Sequence, residues 1–222
     1  MNKTKKDDLL EQEKHRKLTE KEQKRLVNFE ALSDGMLGQG YRRTDLTVSV
    51  GKANIFAILL TVPVAAVGVI LFFLKNGVQS VGSFSRNIGG LLLFLVALAA
   101  LVVAHELIHG LTWSLYTEHR FGDIEFGFMK EQFAPYCTCL VPLTKKQYIL
   151  GALMPFILLG LLPMAAGILA GSWPVLFMGI IMTASAAGDI MIVRSILKYR
   201  STAETVVYMD HPTQAGGVIF EK

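Results

Sequence analysis

Residues 147–188 run for 42 positions without Asp, Glu, Lys or Arg. That is about twice the ~20 apolar residues a helix needs to cross the ~30 Å hydrocarbon core of a bilayer. Gly171-Ser172-Trp173-Pro174 interrupts the run near its middle with residues that break helices, so it reads as two spans joined by a tight turn. Two further uncharged runs, 22 residues at 53–74 and 18 at 87–104, complete a set of four. In lipid only helices and closed barrels satisfy their own backbone, and these runs lack the alternation of barrel strands. The expected fold is an all-α membrane protein with transmembrane helices at about 53–74, 88–111, 148–170 and 175–193.

Four spans place both termini on one side. Of the 22 Lys and Arg residues, 20 lie before residue 53, in the 112–147 loop or from Arg194 onward, and only Lys75 and Arg86 lie on the opposite face. By the positive-inside tendency both termini and the middle loop are cytoplasmic, in a protein of the cell membrane. The densely charged first fifty residues lack the apolar core and small-residue cleavage site of a signal peptide. This asymmetry accounts for the net charge of +4, and no nucleic-acid partner is called for.

The chain divides into a charged cytoplasmic segment at 1–40, a four-span domain at 41–200 and a cytoplasmic tail at 201–222. Residues 5–33 are rich in Glu, Lys and Gln and read in part as a solvated helix, with Thr19 and Glu22 as a capping box and Ser33-Asp34-Gly35 as its stop. Residues 41–50 read as extended. Partial period-two alternation in 121–128 and 134–141, with turn residues between, predicts a small cytoplasmic β-hairpin. Thr205–Met209 is strand-like, followed by a turn at Asp210-His211-Pro212. Cys137 and Cys139, in a reducing compartment and with no further ligands beside them, read as reduced structural thiols rather than a disulfide or a zinc site.

Residues 105–109 read His-Glu-Leu-Ile-His. Positions four apart share a helix face, so both imidazoles can reach one metal ion. Glu106 lies about 100° round the helix, close enough to hold a metal-bound water without being a ligand. Zinc lowers the pKa of such a water to about 7, and a carboxylate beside it can take the proton and later return it. Acid within a span is costly unless a partner or water supports it, which raises the weight of the motif.

A third ligand must come from elsewhere, because Thr112 and Leu115 stand where the metzincin extension requires Gly and His. Asp189 is the remaining acid inside an expected span, with Ser185 one turn before it as a hydrogen-bonding support for the carboxylate. At 1.5 Å per residue His105 lies about 26 Å along the second span and Asp189 about 22 Å along the fourth, and both spans run inward. The rivals are Glu118, Glu125 and Glu131 in the loop and His211 in the tail.

On His105-Glu106-Leu107-Ile108-His109-Gly110, Tyr136-Cys137-Thr138-Cys139, Tyr148 to Pro155, Gly188-Asp189 and Asp210-His211-Pro212, the chain resembles the membrane family described as putative zincin peptidases. That family is distantly similar to the site-2 intramembrane metalloproteases. The resemblance implies a helical membrane core, Zn2+, His105 and His109 as ligands and Glu106 as catalytic base. Site-2 proteases set their ligand Asp in Asn-Pro-x-Asp-Gly; Ala187-Gly188-Asp189-Ile190 keeps only the Asp.

The leading function is a membrane-embedded zinc protease acting on membrane-protein or peptide substrates. Gly151, Pro155, Gly160, Pro163 and Gly167 in the third span would either loosen it for substrate entry or pack it closely against a neighbour. The hairpin edge could hold an opened substrate by β-augmentation. The alternative is a catalytically silent zinc-binding scaffold or sensor, against which the presence of Glu106 argues. A haem protein needs axial histidines on facing helices, and a metal transporter needs more polar groups along its spans.

Overall fold

The computed structural model describes residues 18–78, 88–129 and 134–222. The expected helical start before residue 18, Arg86, Glu131 and the tip of the hairpin lie outside these. In chain order the helices are α1 (Glu20–Gly38), α2 (Val50–Asn76), α3 (Ile88–Ser114), α4 (Lys145–Pro155), α5 (Leu162–Ala170), α6 (Trp173–Ser185) and α7 (Ala187–Lys198). The strands are β1 (Arg42–Thr47), β2 (Ile124–Met129), β3 (Ala134–Cys139), β4 (Leu143–Thr144), β5 (Val206–Asp210) and β6 (Gly216–Glu221).

Three helical stretches are long and apolar enough to cross a membrane: α2, α3 and the composite Lys145–Ala170. A fourth is formed if α6 and α7, bent by 47° at Ala186, count as one broken span. Ile58, Leu59, Val62, Leu92, Leu93 and Val96 point outward from α2 and α3, the kind of apolar surface a monomeric soluble protein rarely exposes. The composite span opens on a capping box between Thr144 and Gln147. It passes through a π-helical turn at Phe156–Leu161, where the Leu162 amide donates to the Ile157 carbonyl. Pro155 and Pro163 flank that turn and cannot donate to a regular ladder, which leaves room for the wider spacing.

The glycines of this span serve close packing. A Cβ added at Gly167 would lie 2.4 Å from the Leu176 amide nitrogen, and one at Gly160 2.8 Å from the Thr183 hydroxyl. Gly179 answers from the other side, its Cβ position 2.6 Å from Met164. The turn into α6 is made where expected, with Gly171 at φ +67° as the left-handed cap and Pro174 in the first turn.

An all-α fold needs correcting, because the chain is mostly helical but carries two antiparallel sheets. The hairpin β2–β3 pairs Ile124 with Cys139 and Met129 with Ala134, close to the expected limits. The second sheet has the order β1-β6-β5-β4, with Arg42 opposite Glu221 and Val206 opposite the same residue. The expected boundary at 200 therefore cuts through a sheet: the tail is its centre. Strand β6 is buried on both faces. Val218 and Phe220 pack with Phe29 of α1, whereas Ile219 packs with Tyr148 of α4 and Ile196 of α7. Its Gly216 has φ +138°, and a Cβ there would meet the Leu46 carbonyl at 2.3 Å, so the strand can start only with glycine.

Helix α1 begins at the expected capping box of Thr19 and Glu22 but runs past Ser33-Asp34-Gly35 to Gly38. Phe29, Leu32 and Met36 form an i, i+3, i+7 face against β6, and buried Ser33 accepts from Arg43 at 3.4 Å. Tertiary burial on that face outweighs the local stop signal, and the helix is docked rather than solvated.

Candidate metal centre

The site lies where α3, α4, α7 and the hairpin meet. His105 and His109 are buried on one face of α3. The break at Ala186, among Ser185, Ala187 and Gly188, redirects the chain so that Asp189 falls in the first turn of α7. Unpaired amides at a helix start favour a negative charge there. Asp189 Oδ2 lies 3.2 Å from His105 Nε2 and 3.5 Å from His109 Nε2. One ligand atom from each residue can be chosen so that all lie within 4.8 Å of one another.

Zinc bonds of about 2.0–2.2 Å at tetrahedral angles put donor atoms roughly 3.3–3.5 Å apart. The two histidine–aspartate spacings match, the group as a whole fits within 4.8 Å, and two imidazoles with a carboxylate leave the fourth position open. These three residues could hold Zn2+. Of the residues weighed from sequence for the third place, Glu131 lies outside the described residues and two of the others are engaged elsewhere. The Glu125 carboxylate accepts from Arg25 at 2.5 Å, His211 Nδ1 accepts the amides of Thr213 and Gln214, and Glu118 is exposed.

Glu106 faces the same cavity of about 750 Å³, and its carboxylate accepts the backbone amide of Cys137 on β3. Ser185 also lines this cavity, but it ends α6 before the break, and among the described residues no hydrogen bond joins it to Asp189. The bend removes the straight-helix spacing on which that support depended.

Several supporting groups were not singled out from sequence. The His109 Nδ1–H donates to the Gly151 carbonyl at 2.9 Å, and the Trp113 ring stacks on His109 at 5.2 Å and 15°. The spacing 105, 109, 113 was a visible one-face signal for Trp113. Asp210, at the end of β5, accepts the Tyr148 hydroxyl at 2.5 Å and the Cys139 amide at 2.9 Å. Burial pushes its carboxyl above the usual range, against those donors. Arg25 reaches from α1 to Glu125, to the Tyr136 hydroxyl at 2.7 Å and to the Pro212 carbonyl at 2.7 Å, tying α1 over the hairpin and tail. Cys137 and Cys139 are free; burial pushes the Cys139 thiol up to about 12 and raises that of Cys137 further, which suits unreactive structural residues.

A His-Glu-x-x-His helix joined by a distant carboxylate, set in an apolar helical core, defines a zincin-type site. Residues 98–203 match the family model described as "Putative zincin peptidase". The matched stretch holds His105, Glu106, His109, Gly151 and Asp189, and leaves α1, β1, α2, the start of α3, β5 and β6 outside it. At the level of the family this points to a zinc metallopeptidase. No curated protein and no solved structure matches the chain.

Proposed function

We propose that the protein is a membrane-embedded zinc peptidase that cleaves membrane or membrane-proximal polypeptides. The observation that carries this reading is the approach of Asp189 Oδ2 to both histidine Nε2 atoms at 3.2 and 3.5 Å, with Glu106 on the same cavity. His105, His109 and Asp189 would hold Zn2+, which when bound would supply Lewis acidity toward a peptide carbonyl and toward water. Glu106 is the group placed to accept a proton from the attacking water and to pass it to the leaving amine. The Cys137 amide holds its carboxylate toward the cavity.

Substrate would lie along β3. Residues 135, 137 and 139 turn their backbone polar groups to the edge away from β2, since the Cys137 amide reaches Glu106 and the Cys139 amide reaches Asp210. Pro135 has no amide hydrogen, so a substrate strand there is held mainly through carbonyls of β3 accepting its amides. In proteoliposomes, a strong zinc chelator should abolish cleavage of an added membrane-anchored polypeptide, and stoichiometric zinc should restore it. Cleavage that persists after zinc removal would sink the reading.

The chain's orientation follows from its charges. A reporter after residue 222 or near residue 130 should read cytoplasmic and one near residue 80 external; an external carboxyl terminus would remove the four-span arrangement.

A further inference from the structure

We propose that Pro155 is a positioning residue for the metal site: lacking an amide hydrogen, it leaves the Gly151 carbonyl to hold the His109 imidazole with Nε2 directed at the metal. The part that concerns zinc rests on the reading above; the part that concerns the imidazole stands alone.

In a regular helix the carbonyl of residue 151 accepts the amide of residue 155. Residue 155 is the last of α4 and is proline, and the next amide, that of Phe156, donates to Leu153 instead. The Gly151 carbonyl thus loses its normal helical donor in a buried setting, where an unpaired polar group is costly. His109 Nδ1 fills that place at 2.9 Å. A carbonyl oxygen only accepts, so Nδ1 carries the hydrogen, and in the neutral ring Nε2 is then the unprotonated nitrogen. Nε2 is the atom that faces Asp189 Oδ2 at 3.5 Å.

The residue that offers the carbonyl is equally constrained. A Cβ at position 151 would lie 2.0 Å from Trp113 Nε1, so glycine lets the indole lie against the α4 backbone. There Trp113 stacks on His109 and donates to the Tyr148 carbonyl at 3.3 Å. Trp113 therefore sets the ring plane, and the Gly151 carbonyl sets which nitrogen carries the proton. His105 has no equivalent, since its Nδ1 is buried without a hydrogen-bond partner. Of the two histidines, His109 is the one whose Nδ1 is held by a backbone carbonyl among the described residues.

The test compares full-length Pro155→Ala and Pro163→Ala in detergent. Both replace a proline of the same apolar stretch with a better helix former, but only the first restores a donor to the Gly151 carbonyl. Zinc affinity is measured by chelator competition, and histidine ring nitrogens are followed by 15N NMR with and without zinc. Wild-type His109 should keep a hydrogen-bonded Nδ1–H in both states. In Pro155→Ala the new amide competes for the carbonyl, the Nδ1–H hydrogen bond weakens, and affinity falls about 10-fold, the low end of what loss of an outer-shell partner costs. Pro163→Ala should match wild type in both. A His109 Nδ1 that carries no hydrogen in wild type, an unchanged Pro155→Ala, or equal shifts in both variants would overturn the proposal. A wild type that binds no zinc would defeat the peptidase reading, and the Nδ1–H hydrogen bond would still decide this one.

Discussion

Glu106→Gln should abolish peptide hydrolysis and leave zinc binding intact. Glutamine keeps the size of the side chain and an acceptor oxygen for the Cys137 amide, so the local geometry survives. It cannot take a proton from water. Loss of a positioned general base is worth on the order of 10²–10⁴ in rate. The fall should appear in kcat with KM little changed, as expected for an interaction made in the transition state. Zinc should stay because Glu106 lies outside the group formed by His105, His109 and Asp189. A folded variant that loses zinc would show that the carboxylate is a ligand. Undiminished cleavage would remove Glu106 as the base. If neither protein cleaves anything while both hold zinc, the silent scaffold is the better description.

Much of this site was legible in the sequence because its parts follow local rules. His105 and His109 share a helix face by spacing alone, and an acid in an apolar run is conspicuous, which is how Asp189 was singled out before its position was known. The long apolar helices were legible for a similar reason, since they stand out as runs without charge. What escaped depended on contacts between distant segments. Strand β6 reads as a short apolar run in a tail, and its place at the centre of a sheet is set by pairing with β1 and β5. Helix α1 overran its stop because Phe29 and Met36 found that sheet. The break at Ala186 has no proline to announce it, and among the described residues no hydrogen bond joins Ser185 to Asp189 across it. Trp113 and the Gly151 carbonyl became meaningful only once α3 and α4 lay side by side.

Asp189→Ala should remove zinc as effectively as loss of either histidine, with Asp189→Asn milder. A half-buried carboxylate between two imidazoles is stabilised when all three share a dication, and the described residues offer no Lys or Arg at hydrogen-bond distance from it. Alanine leaves two ligands, below the three protein ligands of a catalytic zinc site. The loss should exceed the roughly 10–100-fold that removing an outer-shell partner costs. Glu125 and His211 cannot readily substitute, because each is held by other partners. Metal analysis of the purified full-length protein therefore tests the central claim most directly. The account predicts about one zinc per wild-type chain and almost none in His105→Ala or Asp189→Ala. Wild type without zinc, or undiminished zinc in Asp189→Ala, would contradict it.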